Sequence, residues 1–131
     1  SNTLADPYTG YNYNTSYIGR GAGEVPLSTP ARLLQIKNPS ATVMFGDGQM
    51  SSGANKFMRA PFPDAQSDSS TSTRSGGTQG FRHRGKTNVS YVDGHAESLK
   101  IRFTNTIPSQ QTKLGKDCGF LSADNSIYDL D

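Results

Sequence analysis

Residues 83–100 read HRGKTNVSYVDGHAESLK, and the fold turns on whether this stretch is a hairpin or a loop that carries chemistry. Two short segments flank Asp93–Gly94: NVSYV at 88–92 and AESLKIRF at 96–103. Both alternate between apolar and polar residues, the period of a half-buried strand. Val89 and Tyr91 fall on one parity, and so do Leu99, Ile101 and Phe103. The two sets share a face only if the loop between them holds an odd number of residues, because a one-residue slip turns every side chain over. A strict two-residue Asp-Gly loop would put the two sets on opposite faces. A three-residue loop with Gly94 left-handed in a bulge is expected, which supplies a backbone reason for glycine there.

The same stretch holds both histidines of the chain, His83 and His95, with nine residues between His83 and Asp93. Two uses fit. Imidazole and carboxylate ligate zinc or iron, and a His–Asp pair orients a general base. A small metal-dependent hydrolase would then draw on Asp47, His83 and Asp93, with His95 as a further ligand, Asp47 meeting Asp93 where two strands end at one sheet edge. Alternatively, a charge-assisted hydrogen bond between His83 and Asp93 ties the preceding loop to the hairpin turn, a bond of about 1.5–3 kcal/mol. The structural bond is the expectation, with His95 solvated. HExxH, a nucleophile elbow and a phosphate-cradling glycine loop are all missing from the sequence.

Outward from the hairpin, the 131 residues suit one domain spanning 1–131. Only 32% are hydrophobic, and 14 glycines and 7 prolines add to a loop-rich character. The class expected is α+β, a small antiparallel sheet with long irregular loops. Residues 1–27, with Tyr8, Tyr11, Tyr13 and Tyr17, read as irregular structure over the core. Ser28 or Thr29 caps a short helix begun by Pro30, with Leu33, Leu34 and Ile36 as its apolar face and Asn38–Pro39 as its stop. ATVMFG, 41–46, reads as a buried strand ending in a turn at Asp47–Gly48. Residues 48–80 include SDSSTSTRSGGTQG and predict a long mobile surface loop. The tail, 104–131, is polar with anchors at Leu114, Phe120, Leu121, Ile127, Tyr128 and Leu130.

Composition narrows the partners. A net charge of +2 gives no footprint for nucleic acid or an anionic membrane. Cys118 stands alone, so the chain has neither an internal disulfide nor a cysteine metal cluster. No apolar run reaches the ~20 residues that cross a bilayer. The acidic end, SADNSIYDLD, offers Asp124, Asn125 and Asp129 as calcium candidates, since calcium takes oxygen ligands from flexible loops; a solvated tail is the alternative. The basic run RHRGK, Arg82 to Lys86, suits phosphate or an acidic partner, or is simply a solvated loop end.

The His83-to-Asp93–Gly94 spacing within FRHRGKTNVSYVDGHAESLK resembles the H-X9-DG domain at the C-terminal end of prepilin-like, pseudopilin-related proteins. The upstream ARLLQIKNPSATVMFGDG and the opening YTGYNYN are similar to that family's lead-in, so the resemblance covers most of residues 8–103. It implies the globular head of a pilin-like protein lacking its N-terminal helix. The full-length protein would be membrane-anchored in the cell envelope, at the periplasm or cell surface, in a type II secretion or type IV pilus-like system. Its partners would be other pilin-like subunits or secretion-system proteins, and no catalytic residues come with the family. The acidic loop of major pseudopilins that binds calcium is only loosely similar to the end of this chain. Beside the structural head stand the metal-dependent hydrolase and an extracellular glycan- or protein-binding module using the tyrosine-rich opening or the 48–80 segment.

Overall fold

A computed structural model describes residues 10–19, 30–50, 53–64, 67–69, 74 and 77–131. The described chain is mostly sheet. Five strands form the main sheet: β1 (Tyr11–Asn14), β2 (Val43–Asp47), β3 (Phe57–Met58), β5 (Thr87–Tyr91) and β6 (Ala96–Leu99), in the order β3-β1-β2-β5-β6. A second sheet pairs β4 (Gln79–Gly80) with β7 (Cys118–Gly119) and joins the first through a bridge from Gln79 to Gly48. One α-helical turn, α1 (Pro108–Gln111), opens on proline, whose missing N–H costs nothing at that position.

The hairpin forms as its alternation requires. Thr87 faces Leu99 and Ser90 faces Ala96, so Val92, Asp93 and Gly94 make a three-residue loop with Gly94 at φ +95°. The loop closes by the Gly94 N–H donating to the Tyr91 carbonyl and the Tyr91 N–H to that of His95. Leu99 packs against the core beside Val89 and Tyr91. The second strand ends earlier than its pattern suggested. Ile101 is 61% exposed, and Phe103 leaves to bridge Phe120.

Four expectations need correction. The sheet is mixed, since β3 runs parallel to β1, with Tyr13 beside Phe57 and Asn14 beside Met58. The tyrosine-rich opening is not a cover over the core: Tyr11–Asn14 is an interior strand of the sheet, while residues 1–9 and 20–29, with Tyr8, Ser28 and Thr29, lie outside the described residues. The helix at 28–36 shrinks to a 3-10 turn at Leu33–Gln35. Only Ile36 is buried; Leu34 is 98% exposed, so there is no apolar face to reward a longer helix.

The 48–80 segment is not simply a surface loop. Its described residues place Met58 and Ala60 in the core and bury Arg59, Asp68, Arg74, Thr78 and Gln79. Arg59 and Arg74 both reach Oδ2 of Asp68, at 3.0 and 2.9 Å, and Ser16 donates to the same oxygen. A serine-rich run has little apolar area to bury, and its described residues Asp68 and Arg74 are held instead by this buried ion group.

β2 is what gives the sheet two unlike faces. Val43 stands opposite Tyr91, but Phe45 stands opposite Ser90, so the bulge at Met44 sends Val43 into the core and Phe45 outward. On the inner face, Val43, Val89, Tyr91 and Met58 pack with Tyr17, Ala60, Phe81, Leu121 and Tyr128. The tail is therefore core: Tyr128 accepts a bond from the Leu121 N–H, and Val43 donates to Ile127. Burial pushes the Tyr17 hydroxyl up to about 12 and raises that of Tyr128 as well. Gly46 leaves the space that the Gln79 amide fills, since a Cβ there would lie 2.4 Å from it.

Candidate functional site

His83 and Asp93 do not bond to each other. Arg84 and Gly85, at φ 55° and 79°, form a tight turn in which His83 and Lys86 exchange both main-chain bonds. From Lys86 to Tyr91 the backbone runs extended through β5, and Val92 and Asp93 then enter the hairpin loop. At about 3.3 Å per residue, the strand alone sets the two turns roughly 15 Å apart along the backbone. The nine intervening residues are thus a turn and one strand, with His83 at one end and Asp93 at the other. Asp47 and Asp93 fail to meet for a related reason. β2 and β5 are antiparallel, so Asp47 at the end of β2 sits beside the start of β5. The trio of Asp47, His83 and Asp93 needed for a metal-dependent hydrolase is not assembled.

Each end of β5 has its own latch. At the first, Nε2 of His83 lies 3.1 Å from Oδ2 of the buried Asp47. The Asn88 N–H donates to the same oxygen at 2.8 Å. Arg82 reaches Oδ1 at 3.7 Å and also donates to the carbonyls of Gly10 and Gly48. Arg82 thereby ties β1, β2 and the turn together, a role that its place in a basic run did not reveal.

At the second latch, Nδ1 of His95 lies 2.5 Å from Oδ1 of Asp93, and the His95 N–H donates to that oxygen as well. His95, expected to be solvated, is half exposed and stacks on Tyr91, ring centroids 4.4 Å apart. Its Nε2 faces Glu97 at 3.6 Å, and Tyr91 donates to Glu97 at 2.9 Å. The bond to Asp93 raises the His95 imidazole above its ordinary value and holds the Asp93 carboxyl below its own. Burial, with the bond to Glu97 adding to it, pushes the Tyr91 hydroxyl up to about 12.

The acidic end of the chain is built differently from the calcium loop considered for it. Asn125 accepts from the Phe62 N–H and donates to the Phe62 carbonyl and to Tyr17, so both ends of its amide are used in packing. Asp124 caps Ser126, which lowers its carboxyl; Asp129 caps Asp131, and burial raises its own. No group of three or more His, Cys, Asp or Glu side chains able to hold a metal occurs among the described residues. Nor is any helix among them long and apolar enough to cross a membrane.

Above the first latch the outer sheet face carries a cleft of about 460 Å³, walled by Tyr11, Phe45, Asp47, His83, Asn88 and Ser90. Tyr11 is 71% and Phe45 45% exposed, and Tyr13 packs on Phe45 with ring centroids 5.1 Å apart. The sequence signal for this face was the alternation of Tyr11 with Tyr13. It became legible only once β1 was known to pair with β2.

Comparison with protein-family models, with curated proteins and with solved structures finds no match for this chain.

Proposed function

We propose that the chain is the non-catalytic, structural head of a prepilin-like, pseudopilin-related subunit of a type II secretion or type IV pilus-like system. On this reading it is anchored in the cell envelope by a preceding hydrophobic helix, and its partners are other pilin-like subunits. One observation supports it above the rest: the H-X9-DG pattern is spent on building a strand. His83 and Asp93, the two titratable members of the pattern, each close a latch at one end of β5. A motif used in this way has a mechanical purpose, fixing a hairpin at the middle and edge of a sheet. The same placement counts against the hydrolase, which needs its acid, base and ligands within hydrogen-bond reach of one reacting atom.

The test is the sequence encoded upstream of Ser1. A hydrophobic segment of ~20 residues preceded by a prepilin-type cleavage site is expected. The protein expressed with that segment should fractionate with membranes and cross-link to copies of itself. An upstream region lacking such a segment would overturn the proposal.

A further inference from the structure

We infer that the outer face of the sheet binds a neutral oligosaccharide of equatorially substituted pyranose rings, stacked on Tyr11 and Phe45 and held by His83, Asn88 and Ser90. The inference stands apart from the pilin-like reading, since a head domain can carry it with or without a membrane anchor.

The aromatic floor is the first ground. Strand alternation puts Tyr11, Tyr13, Phe45 and Phe57 on one face, and the register sets Tyr13 between Phe45 and Phe57. Of these, Tyr11 and Phe45 are exposed, and exposed rings on one sheet face offer the apolar surface that the C–H face of a pyranose covers. Tyr13 packs against Phe45, ring centroids 5.1 Å apart, so less side-chain entropy is lost on contact there.

The second ground is hydrogen-bonding capacity left unspent in the same cleft. His83 lies against the Asp47 carboxylate through Nε2, at 3.1 Å, and its Nδ1 has no hydrogen-bond partner among the described residues, so it serves as an acceptor in the tautomer that carries the proton on Nε2. The Asn88 carbonyl oxygen accepts from Ser98, and the Asn88 Nδ2 donates to no described residue. Ser90 carries a hydroxyl with no side-chain hydrogen bond among the described residues, directly across from Phe45. An acceptor, a donor and a group that serves as both thus line a cleft floored by rings. Vicinal hydroxyls above an apolar ring face ask for that combination.

Charge selects among sugars. The charged groups at the cleft are Asp47 and Arg82, which stand 3.7 Å apart and offset each other, with His83 on the same carboxylate. An acidic sugar would find no unpaired cation in the lining, and a neutral one loses nothing.

The experiment is an NMR titration of the ¹⁵N-labelled chain with cellohexaose and chitohexaose, with hexagalacturonate as the charged control. The expected result is saturable shifts at Tyr11, Gly46, Asn88 and Ser90 with either neutral sugar, at a Kd of about 1 mM or tighter. Tyr11→Ala and Phe45→Ala should each weaken binding by about 3- to 10-fold. Ser90→Ala removes only an unengaged hydroxyl and should weaken binding without lowering the melting temperature, so that loss of binding is separated from loss of fold. Three outcomes overturn the inference. The neutral sugars leave the spectrum unchanged, hexagalacturonate binds in preference, or the same resonances move with protein concentration alone, which would assign the face to a second copy of the chain.

Discussion

The two ends of β5 carry the same pair of residue types and use them in opposite ways. At one end His83 meets an aspartate from a neighbouring strand, buried and receiving a main-chain N–H. At the other, His95 meets an aspartate two residues away in its own turn, exposed to solvent. The first contact joins segments far apart in sequence, so it resists unfolding of the sheet. The second orders only a loop that the chain would bend in any case. A hydrogen bond gains weight from burial and from the number of groups left unsatisfied when it breaks, more than from its length.

Substitutions should rank accordingly. Asp47→Ala should cost about 3 kcal/mol in chemical denaturation, because it strands the Asn88 N–H and removes the carboxylate from Arg82 and His83 together. Asp47→Asn should recover part of that loss, since its amide oxygen still accepts. Equal stability of Asp47→Ala and the parent would erase the contrast between the two ends. Gly94→Val should come next, at about 1–2 kcal/mol. Nothing lies within 4 Å of a Cβ there, so the cost is backbone strain at φ +95° alone, and Gly94→Asn should be milder. His83→Ala should cost about 1 kcal/mol, discounted because half of its side chain faces solvent.

The smallest effect belongs to His95, and pH sharpens it. Its imidazole is raised in the folded state, so its contribution is complete below about pH 6.5 and is lost as pH rises through the folded value. The lowered Asp93 carboxyl contributes above about pH 4, and that share is lost as pH falls through its folded value. Thermal melts of the parent and His95→Gln should therefore differ most between about pH 4 and 6.5 and converge toward about pH 9. A difference that grows with alkalinity would mean that His95 is held by stacking on Tyr91 rather than by charge.

Much of the fold was legible where periodicity speaks. Val89, Tyr91 and Leu99 declared their common face, and with it the odd loop and the left-handed glycine. The buried strand at Val43 and the anchors Phe120, Leu121 and Tyr128 were legible as well. Periodicity failed where burial is polar. Asp68 and Arg74 look like parts of a solvated run until both are seen paired inside the molecule. It failed too where propensity lacked a surface to pack on, as at Leu33 and Leu34. Of the candidate site, Asp47, His83, Asp93 and Gly94 were all singled out, but with the wrong pairing. Arg82 was read only as the start of a basic run, and Asn88 and Ser90 gave no signal of their own.

The sequence by itself determined the β5–β6 hairpin, because side-chain alternation and the steric freedom of Gly94 are local properties that no distant residue can override cheaply. Only the tertiary structure decided which carboxylate His83 meets. That depends on β2 lying antiparallel to β5, which brings residue 47 to the start of the strand and leaves residue 93 at its far end. Spacing along an extended chain measures separation, and strand order alone turns it into contact.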